Sequence, residues 1–253
     1  MDQYFEPNID AMISVCIATY NGGKVIKRQI DSILRQLGDN DEVVISDDGS
    51  KDETLEVLTS YNDRRIKIFH HQKRPEDKRS GEIVAHNFEN AIEQAQGDYI
   101  FIADQDDVWF PNKVSTFLEY FKNADMVVSN ATVIDVETGT ETGLLYWRRS
   151  PLKNYFLKKG KYFGCTMAIN RRMKDNVLPF PKRIPLHDMW IGLVSELTGH
   201  AEYIETPLMY YMSSAKSVSH NVNNSLLYKI YYRIYLLMNV YLRMIKTKIK
   251  KNI

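Results

Sequence analysis

The chain has 253 residues, 44% of them hydrophobic, and a formal net charge of +1, enough for one large α/β domain with an appendage and no basis for global attraction to nucleic acid. Its two cysteines, Cys16 and Cys165, sit in apolar surroundings without metal or redox spacing, which fits a reducing, cytosolic setting. The polar, acidic Met1 to Met12 stretch does not resemble a signal peptide, and no apolar run is long enough to cross a bilayer.

Ile13-Ser14-Val15-Cys16-Ile17-Ala18 predicts a first buried strand, followed by the turn Thr19-Tyr20-Asn21-Gly22-Gly23. Ile26, Ile30, Ile33, Leu34 and Leu37 keep helical spacing up to Gly38. Glu42 to Ser46 predicts a second strand, closed by Asp47-Asp48-Gly49-Ser50. Ser50 and Glu53 have capping-box spacing for a helix that turns Leu55 and Leu58 inward. Ile66 to Phe69 is a short third strand, and the charged stretch His70 to Gly81 a loop. A helix follows with Ile83, Val84, Phe88, Ala91, Ile92 and Ala95 on one face, stopped by Gly97. Tyr99 to Ala103 then predicts another buried strand, running into Asp104-Gln105-Asp106-Asp107.

Beyond Pro111 a helix places Val114, Phe117, Leu118 and Phe121 inward. Met126 to Ser129 predicts a strand, and Val136 to Gly143 a hairpin or loop. The aromatic and basic segment Leu145 to Gly160 reads as a surface helix or an acceptor groove. Gly164 to Ile169 predicts a strand entered through a glycine. A Pro-punctuated loop at Pro179, Pro181 and Pro185 leads to His187-Asp188-Met189-Trp190 and a helix carrying Ile191, Val194 and Leu197, ended by Gly199. Strands alternating with helices predict a mostly parallel sheet flanked by helices, with ligands at the carboxyl ends of the strands. Three such ends carry polar or acidic clusters: Thr19-Tyr20-Asn21, Asp47-Asp48 and Asp104 to Asp107.

The acidic turn supports two readings, a divalent-cation site or a cap for the helix near Pro111, with Asp107 the capping residue. Asp48 is placed to accept a hydrogen bond from a base or ribose, or else to close its turn. Tyr20 is placed to border a base or to pack beside the first helix. Asp188, where a loop meets a helix, is either an N-cap or a general base for an acceptor hydroxyl. His187 is its structural or hydrogen-bonding neighbour.

Four segments together, Ile17 to Gly22, Ser46 to Thr54, Asp104 to Trp109 and His187 to Trp190, resemble the family 2 glycosyltransferases of GT-A fold, over about Ile13 to Tyr211. The resemblance implies a nucleotide-diphospho-sugar transferase, Rossmann-like, with a domain over 1–220. Ala18, Thr19, Tyr20, Asp48, Asp104 and His187 would meet the nucleotide sugar. Asp106 and Asp104 would hold Mn2+ or Mg2+, with Asp106 the direct ligand, Asp104 also near the ribose, and Gln105 a spacer. Asp188 would be the base of a single inverting displacement. The family's Tyr-Arg-x-His run is absent here, where Tyr211-Met212-Ser213-Ser214 stands, so either Lys216 or His220 would substitute, His220 as a metal ligand, or the site would rely on the carboxylates alone. The combined motifs are most similar to rhamnosyltransferase-like members of bacterial surface polysaccharide synthesis, a pointer to a dTDP-sugar beside the UDP-sugars of related branches. The expected partners are that donor and a glycan or lipid-linked glycan acceptor, with a second copy as a further candidate and no nucleic acid. A sugar nucleotidyltransferase and a non-catalytic sugar-binding module are the alternatives.

Residues 221–253 predict a basic helical tail. Leu227, Ile230, Ile234, Leu237, Met238, Tyr241 and Ile245 form an apolar stripe that suits either a membrane surface, at the inner face of the cytoplasmic membrane, or packing on protein.

Overall fold

The computed structural model describes residues 11–145, 162–184, 186–213 and 226–251. The segment beyond Leu145, together with Lys216 and His220, lies outside them. The described residues form a nine-stranded, mostly parallel sheet in the order β3-β2-β1-β4-β8-β6-β9-β5, with β7 paired to β6. The first half is wholly parallel: β1 (Ile13–Thr19), β2 (Glu42–Asp47), β3 (Ile66–His70) and β4 (Tyr99–Asp104). Between them run α1 (Ile26–Leu34), α2 (Thr54–Thr59) and α3 (Ser80–Gln94).

The second half is mixed. After β5 (Val108–Trp109) and α4 (Lys113–Phe121), the long β6 (Met126–Asp135) turns back through β7 (Glu141–Leu145). A 3₁₀ turn, Gly164–Thr166, leads into β8 (Met167–Asn170), which is antiparallel to both β4 and β6. Then come α5 (Arg171–Val177), α6 (His187–Thr198), β9 (Ala201–Ser213) and α7 (Leu226–Lys251).

The period-2 alternation of strand side chains divides the core. In β1, Val15 and Ile17 pack with Ile30, Phe101 and Phe117 beneath α1 and α4, whereas Cys16 packs with Phe88, Ile102 and Trp190 beneath α3 and α6. Full burial of side chains of this kind stabilises by roughly 1.5–3 kcal/mol each, so both faces of the central strands hold the sheet rigid up to its polar end.

Several expectations are corrected here. No capping box forms at Ser50: its hydroxyl donates to Asp47 Oδ1 at 2.5 Å, and α2 starts only at Thr54, whose N–H donates to Asp52 Oδ1 at 3.1 Å. The nearer carboxylate competes successfully for the hydroxyl. Helix α3 begins at Ser80, so the preceding loop is shorter, and Val84 faces solvent while His86, Asn87 and Glu89 turn inward. The glycine entry at Gly164 is a 3₁₀ turn rather than strand. Unforeseen α5 is capped by Asn170, whose side chain accepts from Met173 N. As to the two readings of the tail, α7 packs on α6 through Leu236 and Val240; Leu237 of the apolar stripe is partly buried against the same core, while Leu227, Ile230, Ile234, Met238 and Tyr241 are exposed.

Candidate active site

Sheet register assembles the site. Ala18 pairs with Ser46 on one side and Asp104 on the other, and Thr19 pairs with Asp47. The three polar strand ends singled out in the sequence therefore lie side by side. Asp47 and Asp48 divide the turn after β2 between them. Asp47 is fully buried and accepts from Gly49 N and Ser50 N at 3.0 Å each, closing the turn that Gly49 permits with φ +80°. Asp48 is thereby released from turn closure. Its Oδ1 meets His71 Nδ1 at 2.9 Å and its Oδ2 meets Lys73 Nζ at 3.1 Å. Lys73 Nζ also lies 5.7 Å from the ring centroid of Tyr20, which is 49% exposed. Asp48, Tyr20 and Lys73 thus border one open edge of the crevice.

The acidic turn is bolted to its surroundings. Gln105 is no spacer: its Oε1 accepts from Thr19 Oγ1 at 2.6 Å and from Tyr20 N at 3.1 Å, tying the turn to the end of β1. Arg28 of α1 donates through Nη2 to the Asp106 carbonyl at 2.5 Å. Asp107 does not cap α4, whose N-cap is Asn112. It is fully buried, and its Oδ1 accepts from Met212 N in β9 at 3.0 Å. Beneath it lies Lys113, also fully buried, donating to the Cys165 carbonyl at 2.9 Å. Burial pulls this ammonium down to about 8, against the opposing pull of Cys165, Asp107 and Asp104.

Electrostatics links this turn to α6. Burial, then the neighbouring Asp106 and Asp188 carboxylates, push Asp104 up to about 7. Asp107 is pushed well above the usual carboxylate range, by burial first and then by Asp104 and Asp106. Burial also raises Asp106, with Arg28 opposing. Asp188 belongs to the first turn of α6, with Leu186 rather than Asp188 at the N-cap, and its Oδ1 accepts from Met189 N at 2.7 Å. His187 points elsewhere. Its ring stacks on Phe88 at 4.0 Å with Nε2 buried against Gly164, and burial pushes it down to about 3, so it is neutral.

The donor set fits a hard divalent cation. Asp104 and Asp106 offer carboxylate oxygens from a partly exposed turn. Among the described residues, Asp104, Asp107 and Cys165 place ligand-type atoms within 4.8 Å of one another, a cluster in which Asp106 takes no part. Nothing in the spacing of Cys165 pointed to this position. Burial pushes its thiol well above its ordinary value, and its soft sulfur is a poor match for Mg2+ or Mn2+, which prefer oxygen donors. The further residues that sequence reasoning missed are His71, Lys73, Arg28 and Lys113. His71 and Lys73 follow directly after a strand whose neighbours end in site residues, which was a usable signal; Arg28 and Lys113 had none.

Known proteins match this arrangement. A family model described as Glycosyl transferase family 2 matches residues 14–178. An uncharacterized glycosyltransferase of Rickettsia felis is 27% identical over 197 residues, covering 72% of this chain and 31% of its own. The chain thus spans about a third of that relative. A Bacillus subtilis protein named as a teichuronic acid biosynthesis glycosyltransferase, TuaG, is 27% identical over 202 residues, covering 75% of this chain and 74% of its own. Among solved structures, S. aureus TarS in complex with UDP-GlcNAc superposes with a TM-score of 0.65 at 19% identity, over 85% of this chain and 62% of that one. This last likeness carries the GT-A fold.

Proposed function

The chain belongs to glycosyl transferase family 2, and from that premise we propose an inverting, metal-dependent enzyme that moves a sugar from a dTDP- or UDP-sugar to a hydroxyl of a glycan or lipid-linked glycan. The setting is bacterial surface polysaccharide synthesis, and the location is cytoplasmic and peripheral at the inner face of the membrane. TuaG's name supports the setting, and TarS's UDP-GlcNAc the donor class. The catalytic unit is 1–220, with 221–253 as its appendage, which contains α7. Family membership sets aside the nucleotidyltransferase and the non-catalytic module.

One observation supports the mechanism: sheet register sets the ends of β1, β2 and β4 side by side, and the Gly164–Thr166 turn links them to the start of α6, since His187 packs against Gly164 while Cys165 lies within 4.8 Å of Asp104 and Asp107. Asp48, held by His71 and Lys73, receives the base beside Tyr20, and the backbone at Ala18 and Thr19 follows the nucleoside. Asp104 and Asp106 hold Mn2+ or Mg2+, which when bound neutralises charge developing on the nucleoside diphosphate. Arg28 ties that turn to α1, and Gln105 ties it to the end of β1. Asp188 takes the proton of the acceptor hydroxyl as its oxygen bonds to the anomeric carbon. The bond from that carbon to the diphosphate oxygen breaks on the opposite side, through an oxocarbenium-like state.

The test is sugar transfer or donor hydrolysis by Asp188→Asn and Asp106→Asn. Both should fall far below the parent while retaining its unfolding midpoint. Parental activity in both variants would sink the mechanism.

A further inference from the structure

Helix α7 presents two different apolar faces. One is closed against the domain: Tyr232, Leu236 and Val240 are buried in the core with Trp190. Anchors reinforce it, since Arg79 at the start of α3 stacks over Tyr228 at 3.6 Å. Arg243 donates to the carbonyls of Asn176, Leu178 and Pro179 at 2.6–2.7 Å. The other face is turned directly away. At 100° per residue, Leu227, Ile230, Ile234, Met238 and Tyr241 lie opposite Leu236 and Val240. Their exposures run from 46% at Ile230 to 80% at Leu227. Leu242 and Ile249, also exposed, widen the strip.

Scattered exposed hydrophobic residues need no explanation, but a continuous strip along a helix about 39 Å long does. The helix contains no acidic residue, and four lysines, Lys246, Lys248, Lys250 and Lys251, fall in its last six positions. A second copy of the chain would bring the same basic helix against itself. A surface combining apolar depth with negative charge complements both features at once, and that is an anionic bilayer.

We propose that the outward face of α7 lies in the headgroup region of an anionic lipid bilayer and holds the crevice at that surface. The domain is braced for this, because Arg243 lies 5.1 Å from the ring centroid of Trp190, in the same first turn of α6 as Asp188. The proposal deepens the reading of a lipid-linked acceptor and rests on it for its purpose, though not for its geometry.

The experiment is vesicle co-sedimentation of the full chain with phosphatidylcholine alone and with phosphatidylcholine mixed with phosphatidylglycerol. The parent should bind the anionic vesicles, and added salt should weaken that binding. The double variant Ile234→Asp, Met238→Asp should bind at least ~10-fold more weakly, because each change puts a charge on the apolar face. It should keep the parent's unfolding midpoint and its solution hydrolysis of a nucleotide sugar. No binding by the parent, equal binding to both vesicle types, or undiminished binding by the variant overturns the proposal. A dimer seen by light scattering that the variant abolishes also overturns it and assigns the face to a second copy. Hydrolysis is read separately, so a parent that binds vesicles but hydrolyses no donor breaks the catalytic reading and leaves the surface standing.

Discussion

The acidic turn after β4 and the outer face of α7 both reverse the usual partition of side chains, in opposite senses. At the turn, Asp107 and Lys113 are withdrawn from water completely; on α7, Leu227 and Ile234 are pushed into it. The turn compensates internally: each buried group meets others on β9, α1 or the Gly164–Thr166 turn. The helix face has no such compensation within the described residues. A polar group buried with partners holds a site in shape, whereas an apolar group exposed in a row marks where the molecule is completed from outside.

The sharpest way to break this comparison is at the crevice. Asp188→Asn should reduce kcat by about 10²–10⁴-fold, the range of general-base catalysis, with unfolding in urea unchanged; a small kcat effect would remove Asp188 from the chemistry. Next is the internal compensation. Lys113→Ala leaves Asp107 and Asp104 without their buried cation, and breaking such a set costs about 3–5 kcal/mol, measurable by urea denaturation. Lys113→Arg would not rescue it, because the guanidinium is larger than the ammonium beside Met209.

The two faces of α7 give a paired prediction. Leu236→Ala should cost about 2–5 kcal/mol by opening a cavity, whereas Ile234→Ala on the outer face should stay within about 0.5 kcal/mol. Equal costs would mean that the outer face is also packed.

The last expected effect is a pH slope from His187. Its folded pKa is depressed to about 3 by burial. Between that value and its ordinary 6.5 the unfolded chain binds the extra proton. Stability from the neutral ring is therefore fully present above 6.5 and is lost as pH falls toward 3, by up to about 1.4 kcal/mol per unit. Thermal or urea unfolding at several pH values should show this slope, and His187→Asn should remove it whatever its absolute cost.

Strands β1 to β4 were legible because each is a short β-branched run bounded by polar turns, and the four motifs located the crevice. What the sequence hid was partner choice. Asp47, Asp48 and Asp107 are chemically alike, yet one closes a turn, one is paired with His71 and Lys73 and one is buried under β9. Neither Ser50 spacing nor Asp107 position reveals which hydrogen bond wins, because the competitors arrive from other strands. β5 is two residues long and β9 pairs with strands far from it in sequence, so neither leaves a periodic trace. In α7 the outer stripe was visible, but a helix with apolar residues all around does not announce which face the domain takes.

The bonds that fasten the acidic turn also set when it can exist. Thr19 reaches Gln105 across 86 positions, and Asp107 meets Met212 across 105. Closing such long loops is slow and unrewarded until the flanking strands have paired. The final fastening of the turn is therefore a late product of folding, absent from any intermediate that lacks β9. A nascent chain stalled before β9 would hold its four parallel strands and still leave Asp107 without its Met212 partner.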